Sequence, residues 1–427
     1  MTSQATAKTG TGESIGRKPN VLFISRQRLV GATNGSSAYL IDLARAVRKA
    51  DMIPHLLQPS PSLAGRWPIL SMAPEMAVFA THRIRGLFRI GRHFIVPSPR
   101  ILASVARAAL AAAARRLGAR GAWAADRPAP YAIALPWTDL DHRFVALHAP
   151  PCVDVVLADY VFCAEGFADL AASLPSAIVM HDLFHLRDGG TRDSVAALDR
   201  DEELRLLMRA DAIVAIQAEE ADFVARHVPT AKAILAPIAV GAVPAAQPGD
   251  ADRLLFVGSN TAPNVVGLQW FLAEVWPQLR AVRPQITLDV AGSVNRAFAG
   301  AKPDGVCFHG RVVDLGPLYA RAGVVISPLT FGSGLKIKLV EALAHGKAVI
   351  ATAVTLQGVV DICAGAVLCA DDAADFTASI LLLCADTGAR QELAAAALEV
   401  ARNHFSTVVC HAPFTDWLKS VVMTSRN

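Results

Sequence analysis

Short aliphatic and β-branched runs alternate along most of the chain with stretches whose apolar residues recur every three or four positions. The short runs, bounded by turn residues, read as buried strands, and the intervening stretches as helices. In the first half, strands are expected at Asn20–Ser25, Ile53–Gln58, Val153–Asp159, Ala177–His181, Ala212–Ile216 and Lys232–Ala236, with helices such as Tyr39–Lys49 between them. The Pro-, Ala- and Gly-rich segment Pro237–Asp252 breaks the rhythm and reads as a linker. The rhythm then restarts. Strands are expected at Arg253–Ser259, Ile286–Gly292, Val306–His309, Val324–Pro328 and Ala348–Thr352, and helices at Val265–Val282, Leu335–His345, Ala373–Cys384 and Gly388–Asn403, with a shorter one at Leu315–Ala322. Strand and helix alternation of this kind builds a parallel sheet covered by helices. Its restart predicts an α/β chain with two Rossmann-like doubly wound domains facing across a cleft. The expected units are a disordered tail at 1–18, an N-terminal domain at 19–238, a linker at 239–252, a C-terminal domain at 253–406 and a final helix at 407–427 placed to pack back on the N-terminal domain. Ligands of such sheets bind at the carboxyl ends of the strands.

A length of 427 residues agrees with two cores rather than one. The apolar fraction of 53% and mean hydropathy of +0.37 would suit a membrane protein if the apolar residues were gathered into long runs. The most apolar stretch, Ile101–Leu117, is interrupted by Arg107, Arg115 and Arg116, which disfavours a spanning helix. Met1–Lys18 lacks the apolar centre of a secretory signal. Seven cysteines with no CxxC pair indicate neither a disulfide framework nor a zinc site, and a cytoplasmic setting is expected. A net charge of +4 is too small by itself to argue for nucleic acid.

The most informative stretch is Ser327-Pro328-Leu329-Thr330-Phe331-Gly332-Ser333-Gly334-Leu335-Lys336-Ile337-Lys338-Leu339-Val340-Glu341-Ala342-Leu343-Ala344-His345-Gly346. A buried strand ends at Pro328, a glycine-bracketed turn follows, and a helix is expected to open near Leu335. Free amides and the positive end of the helix dipole make such a turn a seat for phosphate oxygens. Lys336 and Lys338 in the first turn oppose the dipole, and an anion would offset that mismatch. Glu341 stands about a turn and a half beyond Lys336, where a carboxylate can accept two ribose hydroxyls. Taken alone, such a turn is more often a solvated loop than a phosphate site.

The longer pattern resembles the family 4 retaining glycosyltransferases, the group 1 class of the GT-B fold, and in particular bacterial polysaccharide-assembly members with a Gly-Ser-Gly-x-Lys-x-Lys-x-x-Glu-Ala-Leu-Ala-x-Gly run. Leu255-Phe256-Val257-Gly258-Ser259, Pro263-Asn264, Trp270-Phe271-Leu272, Val275-Trp276-Pro277 and Phe308-His309-Gly310-Arg311-Val312 belong to the same likeness, which spans about Leu254 to Val360. The resemblance implies a nucleotide-diphosphate sugar as donor, with its diphosphate on Gly332, Ser333, Gly334, Leu335, Lys336 and Lys338, its ribose on Glu341, and its base near His309, Arg311 and Val312. Ser259 and Asn264 are expected to line the donor site as well. Ser333 stands where many members carry a first glutamate, and Asn260 and Asn264 stand where many carry a basic pair. Lys336 and Lys338 would then supply the positive charge, with Lys338 favoured for the cleft if the helix opens at Leu335.

On the N-terminal side, the resemblance implies that Gly35, in the turn Gly31–Ser37, approaches the donor phosphate and that His181 hydrogen-bonds the donor sugar. As bare residues, these also read as an ordinary turn before a helix and as a strand-end histidine satisfied by Asp182 or a backbone carbonyl. Between His82 and Arg127 stand ten arginines against the single acid Asp126, interleaved with Ile84, Leu87, Phe88, Ile90, Phe94 and Ile95. Such a stretch suits an anionic membrane surface, or else a solvated insertion. No nucleic-acid motif accompanies it.

The leading expectation is a hexosyltransferase that moves sugar from a nucleotide donor to a lipid-linked or saccharide acceptor with retention, in cell-surface polysaccharide synthesis. It would be cytoplasmic and peripheral on the inner face of the plasma membrane. No metal or cofactor is required, because helix amides and lysines can stabilise the leaving diphosphate. The alternatives are a non-catalytic nucleotide-sugar scaffold and a nucleotide-sugar epimerase.

Overall fold

The computed structural model describes residues 17–60, 69–96, 133–186, 198–298, 303–332 and 335–426, together with residue 300 and isolated positions between 99 and 113. Residues 1–16 of the expected tail and most of the Arg-rich stretch beyond 96 lie outside the described residues, whereas Arg17 and Lys18, expected in the tail, are held on the first domain by Asp154 at 2.7 Å and Asp51 at 2.5 Å.

The N-terminal half forms a seven-stranded sheet from β1 (Asn20–Ile24), β2 (Ile53–Gln58), β4 (Thr81–Ile84), β7 (Val153–Asp159), β8 (Ser176–Val179), β9 (Ala212–Ala215) and β10 (Lys232–Leu235), in the order β10-β9-β8-β7-β1-β2-β4. Its neighbouring strands pair in parallel. The strands are apolar on both faces because both are covered. Val21, Phe23, Val155 and Leu157 point into one core, and Leu22, Ile24, Val156 and Ala158 into the other. A small antiparallel sheet, β3 (Ile69–Ser71), β6 (His93–Ile95) and β5 (Phe88–Ile90), flanks β4.

The second half repeats the plan with β11 (Asp250–Val257), β12 (Thr287–Ala291), β13 (Val306–Gly310), β14 (Ala322–Ser327), β15 (Ala348–Ala351) and β16 (Leu368–Cys369), ordered β13-β12-β11-β14-β15-β16 and parallel throughout. Leu255 and Val257 face one core, and Leu254 and Phe256 the other. The chain therefore carries two doubly wound α/β units.

Three boundaries differ from the sequence expectation for local reasons. The first helix is Gly35–Lys49, four residues longer, because Asn34 caps it: the Ser37 amide donates to Asn34 Oδ1 at 2.8 Å. The stretch expected as one helix from Val265 runs as Ala262–Trp270, a wide turn at Phe271–Val275 and then Trp276–Val282. Pro277 has no amide to donate back one turn, and the widened turn precedes it. The linker is shorter than expected, since β11 already begins at Asp250. The last helix, Thr407–Arg426, returns to the N-terminal sheet and buries Phe414, Trp417, Leu418 and Val422 beside Val21 and Phe23. Among the described residues, no helix is long and apolar enough to cross a membrane.

Candidate functional site

The carboxyl ends of β1, β7 and β8 converge on one buried carboxylate. Asp159, the last residue of β7, is fully buried and accepts Ser25 Oγ at 2.5 Å, Gln27 Nε2 at 2.7 Å and His181 Nε2 at 2.7 Å. A carboxylate removed from water needs such partners. With Nε2 of His181 committed to Asp159, Nδ1 is the ring nitrogen left for a ligand. Tyr160 stacks on that ring at 4.0 Å and Tyr39 meets it edge-on at 5.8 Å, which fixes its plane. Tyr160 reaches the position from a left-handed backbone (φ +67°), and its Oη donates to Ser36 Oγ at 2.8 Å. The histidine is thereby tied to the glycine-rich turn and the first helix. Ser25, Gln27, Asp159 and Tyr160 had no assigned role in the sequence, because a strand-end Asp or Tyr looks like any other until its neighbours are known.

On the facing wall, the turn after β14 leads into the helix Ile337–Ala344. Ser333 and Gly334 lie outside the described residues. Gly332 sits at φ +127°, where an added Cβ would press on Pro263 at 3.3 Å, so this turn lies against the one that follows β11. There Asn264 Nδ2 donates to Ser259 Oγ at 3.1 Å and Thr261 Oγ1 at 2.8 Å. Gly292 and Gly258 let the ends of β12 and β11 approach as bare backbone: a Cβ on Gly292 would fall 2.1 Å from the Gly258 carbonyl oxygen.

The two lysines divide differently from the expectation. The helix opens at Ile337 rather than Leu335, and Lys336 is its cap residue, with Nζ 3.4 Å from the Gly332 carbonyl. Burial pushes the Lys336 ammonium down to about 8, opposed by the charge of Asp182. Lys338 is exposed, and its Nζ lies 2.7 and 2.8 Å from the two oxygens of Glu341. The two-residue shift in the helix start exchanges the faces: Lys336 takes the cleft and Lys338 turns to solvent. Glu341 retains acceptor capacity for hydroxyls beyond that pair.

The walls touch. Leu335 and Ile337 pack against the N-terminal core. A Cβ on Gly35 would lie 2.5 Å from Ile337 Cδ1, so in this structure Gly35 meets the start of the helix. Asp182, next to His181, also acts on Glu220, whose carboxyl is pushed up to about 7 by burial first and Asp182 second. Glu220 accepts the amides of Ile216 and Gln217 at 3.1 and 3.3 Å.

The residues expected near the base stand at the far edge of the second sheet. His309 Nε2 is 2.6 Å from Asp289 Oδ1, Arg311 is exposed in the following turn, and Val312 is half-buried against the core. From β14 to β13 is three strand spacings, ~14 Å, which an extended nucleoside diphosphate can cover. Asp289, Cys307 and His309 place possible metal-ligating atoms within 4.8 Å of one another. Arg253 already holds the second oxygen of Asp289 at 3.2 Å, so a cation there would meet a guanidinium.

Residues 251–386, about a third of the chain, match the family model described as Glycosyl transferases group 1. An uncharacterized 44.6 kDa protein in the cps region of Klebsiella pneumoniae is 26% identical over 117 residues, which is 25% of this chain and 30% of that protein. The match thus spans less than a third of the relative's length. Among solved structures, sucrose-phosphate synthase from Thermosynechococcus elongatus superposes with a TM-score of 0.62 at 16% identity, covering 95% of this chain and 100% of that one. A glycosyltransferase from Rickettsia africae gives 0.57 at 12%, covering 95% and 99%. HepE from Anabaena, in complex with UDP, gives 0.54 at 14%, covering 95% and 100%. The whole-chain superpositions establish the GT-B architecture, and the family match in the C-terminal half supports a glycosyltransferase.

Proposed function

We propose that this chain transfers a hexosyl group from a nucleoside-diphosphate sugar to a saccharide or lipid-linked acceptor, with retention at the anomeric carbon, in the assembly of a cell-surface polysaccharide. The observation that carries the reading is the placement of Lys336 and the start of the helix Ile337–Ala344 against the wall that holds His181. As the glycosidic bond breaks, negative charge gathers on the departing diphosphate. The helix amides and the Lys336 ammonium are preorganised for that charge. Retention requires the acceptor hydroxyl to approach from the leaving-group side: its oxygen bonds to the anomeric carbon, and its proton passes to the departing phosphate oxygen. His181, oriented by Asp159, is the hydrogen-bonding group for a sugar hydroxyl. The base extends toward Arg311 and Val312, and Glu341 takes the ribose.

The resemblance to HepE, solved with UDP and with UDP-glucose, supports a nucleotide-sugar donor, and the cps-region relative supports the polysaccharide role. A lipid-linked acceptor would bring the enzyme to the membrane surface. The test is a thermal-shift screen of the purified chain against nucleotide sugars, followed by assay of nucleotide release with candidate acceptors. A donor at 100 times its Kd stabilises the fold by about 2.7 kcal/mol. Binding with acceptor-dependent release supports transfer. Binding without release indicates a scaffold, and donor conversion without acceptor indicates an epimerase.

A further inference from the structure

The second sheet carries a charge where its packing calls for a hydrocarbon. Asp289 lies on β12, directly opposite Leu255 of β11 on one side and Cys307 of β13 on the other. Leu255 is packed into the core of that face, and Asp289 itself is only 4% exposed. A carboxylate removed from water needs partners of its own. Arg253 Nη1 donates to one of its oxygens at 3.2 Å, and His309 Nε2 lies 2.6 Å from the other.

His309 reaches that oxygen at a point where the pairing of β12 with β13 slips. Val290 pairs with Phe308 and Ala291 with Gly310, so His309 is an extra residue in the ladder. A bulge of this kind re-aims a side chain, and bulges are enriched beside functional sites. Cys307, opposite Asp289, is exposed on this outermost strand. One donor atom from each of Asp289, Cys307 and His309 lies within 4.8 Å of the other two. The His309 side chain is 26% exposed, so an ion can enter from the edge of the sheet.

We propose that Asp289, Cys307 and His309 form a zinc site, which clips the edge strand β13 to β12. Thiolate, imidazole and carboxylate all serve as zinc ligands, and three of them leave the fourth tetrahedral position to water. Bonds of ~2.0 Å to nitrogen and oxygen and ~2.3 Å to sulfur set the ligand atoms roughly 3.3–3.8 Å apart, so small side-chain rotations bring this group onto an ion. The His309 ring swings outward as the ion replaces the proton it shares with Asp289. Cys307 releases its thiol proton to solvent. Dication, thiolate and carboxylate are then together neutral, which offsets the repulsion from Arg253. Arg253 becomes the outer partner that fixes the carboxylate, as the hydrogen-bonded second oxygen of a metal-binding Asp commonly is. The absence of a CxxC pair hides such a site in the sequence, because its ligands come from two strands. β13 ends at Gly310, and Arg311 and Val312 follow, so the ion steadies the turn expected to meet the base. Zinc binding needs no donor, and it stands or falls separately from the transferase reading.

The experiment is a calorimetric titration of the full chain with zinc chloride, after a chelator has stripped it and with a thiol-free reductant present. The wild type should take up one equivalent with a Kd at or below about 10 μM. Cys307→Ser and His309→Ala should each weaken that binding at least about tenfold, whereas Cys152→Ser and Cys369→Ser, at the other exposed thiols, should leave it unchanged. Cobalt should give the wild type a thiolate-to-metal absorption band that Cys307→Ser lacks. Cys307→Ser is an exposed and nearly isosteric change, so without zinc it should melt like the wild type. Added zinc should raise the melting temperature of the wild type and leave that of Cys307→Ser where it was. No saturable binding in that range, or a weakening of less than about tenfold in either the Cys307 or the His309 variant, overturns the proposal. A cobalt band that persists in Cys307→Ser overturns it as well, since the thiolate then belongs to another cysteine.

Discussion

Around Asp159 the N-terminal wall turns its polar groups inward: Ser25, Gln27 and His181 donate to a single carboxylate, and two tyrosine rings close over the histidine. Across the cleft, the Lys336 Nζ lies 3.4 Å from the Gly332 carbonyl on its own turn, and burial lowers its affinity for a proton. One wall is a finished network whose geometry precedes any ligand. The other keeps a cation in a setting that an anion would improve. The contrast separates positioning from charge stabilisation, and substitutions on the two sides should fail in different ways.

The largest effect is expected at Lys336. Removing one preorganised donor to a developing anion costs ~10²–10³ in turnover. Lys336→Ala should show that loss in kcat with melting close to wild type, because it deletes a desolvated charge. Lys338→Ala, which breaks an exposed pair with Glu341, should change kcat by less than about threefold. Steady-state kinetics on both variants decides which lysine faces the diphosphate. A reversed ranking would return the helix start to Leu335.

Asp159→Ala should fail by unfolding. It strands three donors in a buried site, where each unsatisfied group costs about 1–3 kcal/mol, so a loss of about 3 kcal/mol or more is expected in urea denaturation. His181→Ala should retain more stability and lose transfer instead. If Asp159→Ala melts like the wild type, the N-terminal wall is not the rigid partner described.

The strands were legible in the sequence because buried parallel strands are nearly continuous apolar runs, as at Val21–Ile24 and Val324–Ile326, and the glycine turn before Lys336 was legible from composition. The assignment of faces was not. Lys336 and Lys338 exchange roles when a helix starts two residues later, and no propensity distinguishes Leu335 from Ile337 as its first residue. The Asp159 cluster was hidden for a different reason. Its partners lie 22 to 134 residues from Asp159 in the chain and meet it only when β1, β7 and β8 pair. Arg85 likewise looked like its neighbours until Asp141 arrived from a later helix.

A smaller effect separates the walls by pH. Lys336 titrates near 8 without ligand, and a bound diphosphate raises that value because it favours the charged form. Binding therefore takes up a proton around pH 8, and affinity for a nucleoside diphosphate should weaken as pH rises past about 8, by at most about tenfold per unit. Asp182 and Glu220 are the acids that share this part of the cleft, and Glu220 titrates near 7. A slope below pH 7 belongs to Glu220 and to the terminal phosphate of the ligand itself. Calorimetry in two buffers of different ionisation enthalpy measures the uptake, and Lys336→Ala should abolish the part above pH 8.

The smallest effect lies where the walls meet. A Cβ at Gly35 would come 2.5 Å from Ile337 Cδ1, but that atom is the free end of a side chain, so the clash can be relieved by rotating it. Gly35 is the first residue of its helix, where alanine fits the backbone, and no intrinsic strain is added. Gly35→Ala should therefore cost under about 1 kcal/mol in stability, while displacing Ile337 and with it the start of the helix beside Lys336. The expected signature is a few-fold rise in donor KM with kcat little changed. Ile337→Val removes Cδ1 alone, so the double variant should recover the donor KM that Gly35→Ala loses, a coupling that independent sites would not show. Additive losses would mean that the two residues do not meet in the working enzyme and that its cleft stands more open than the structure shows.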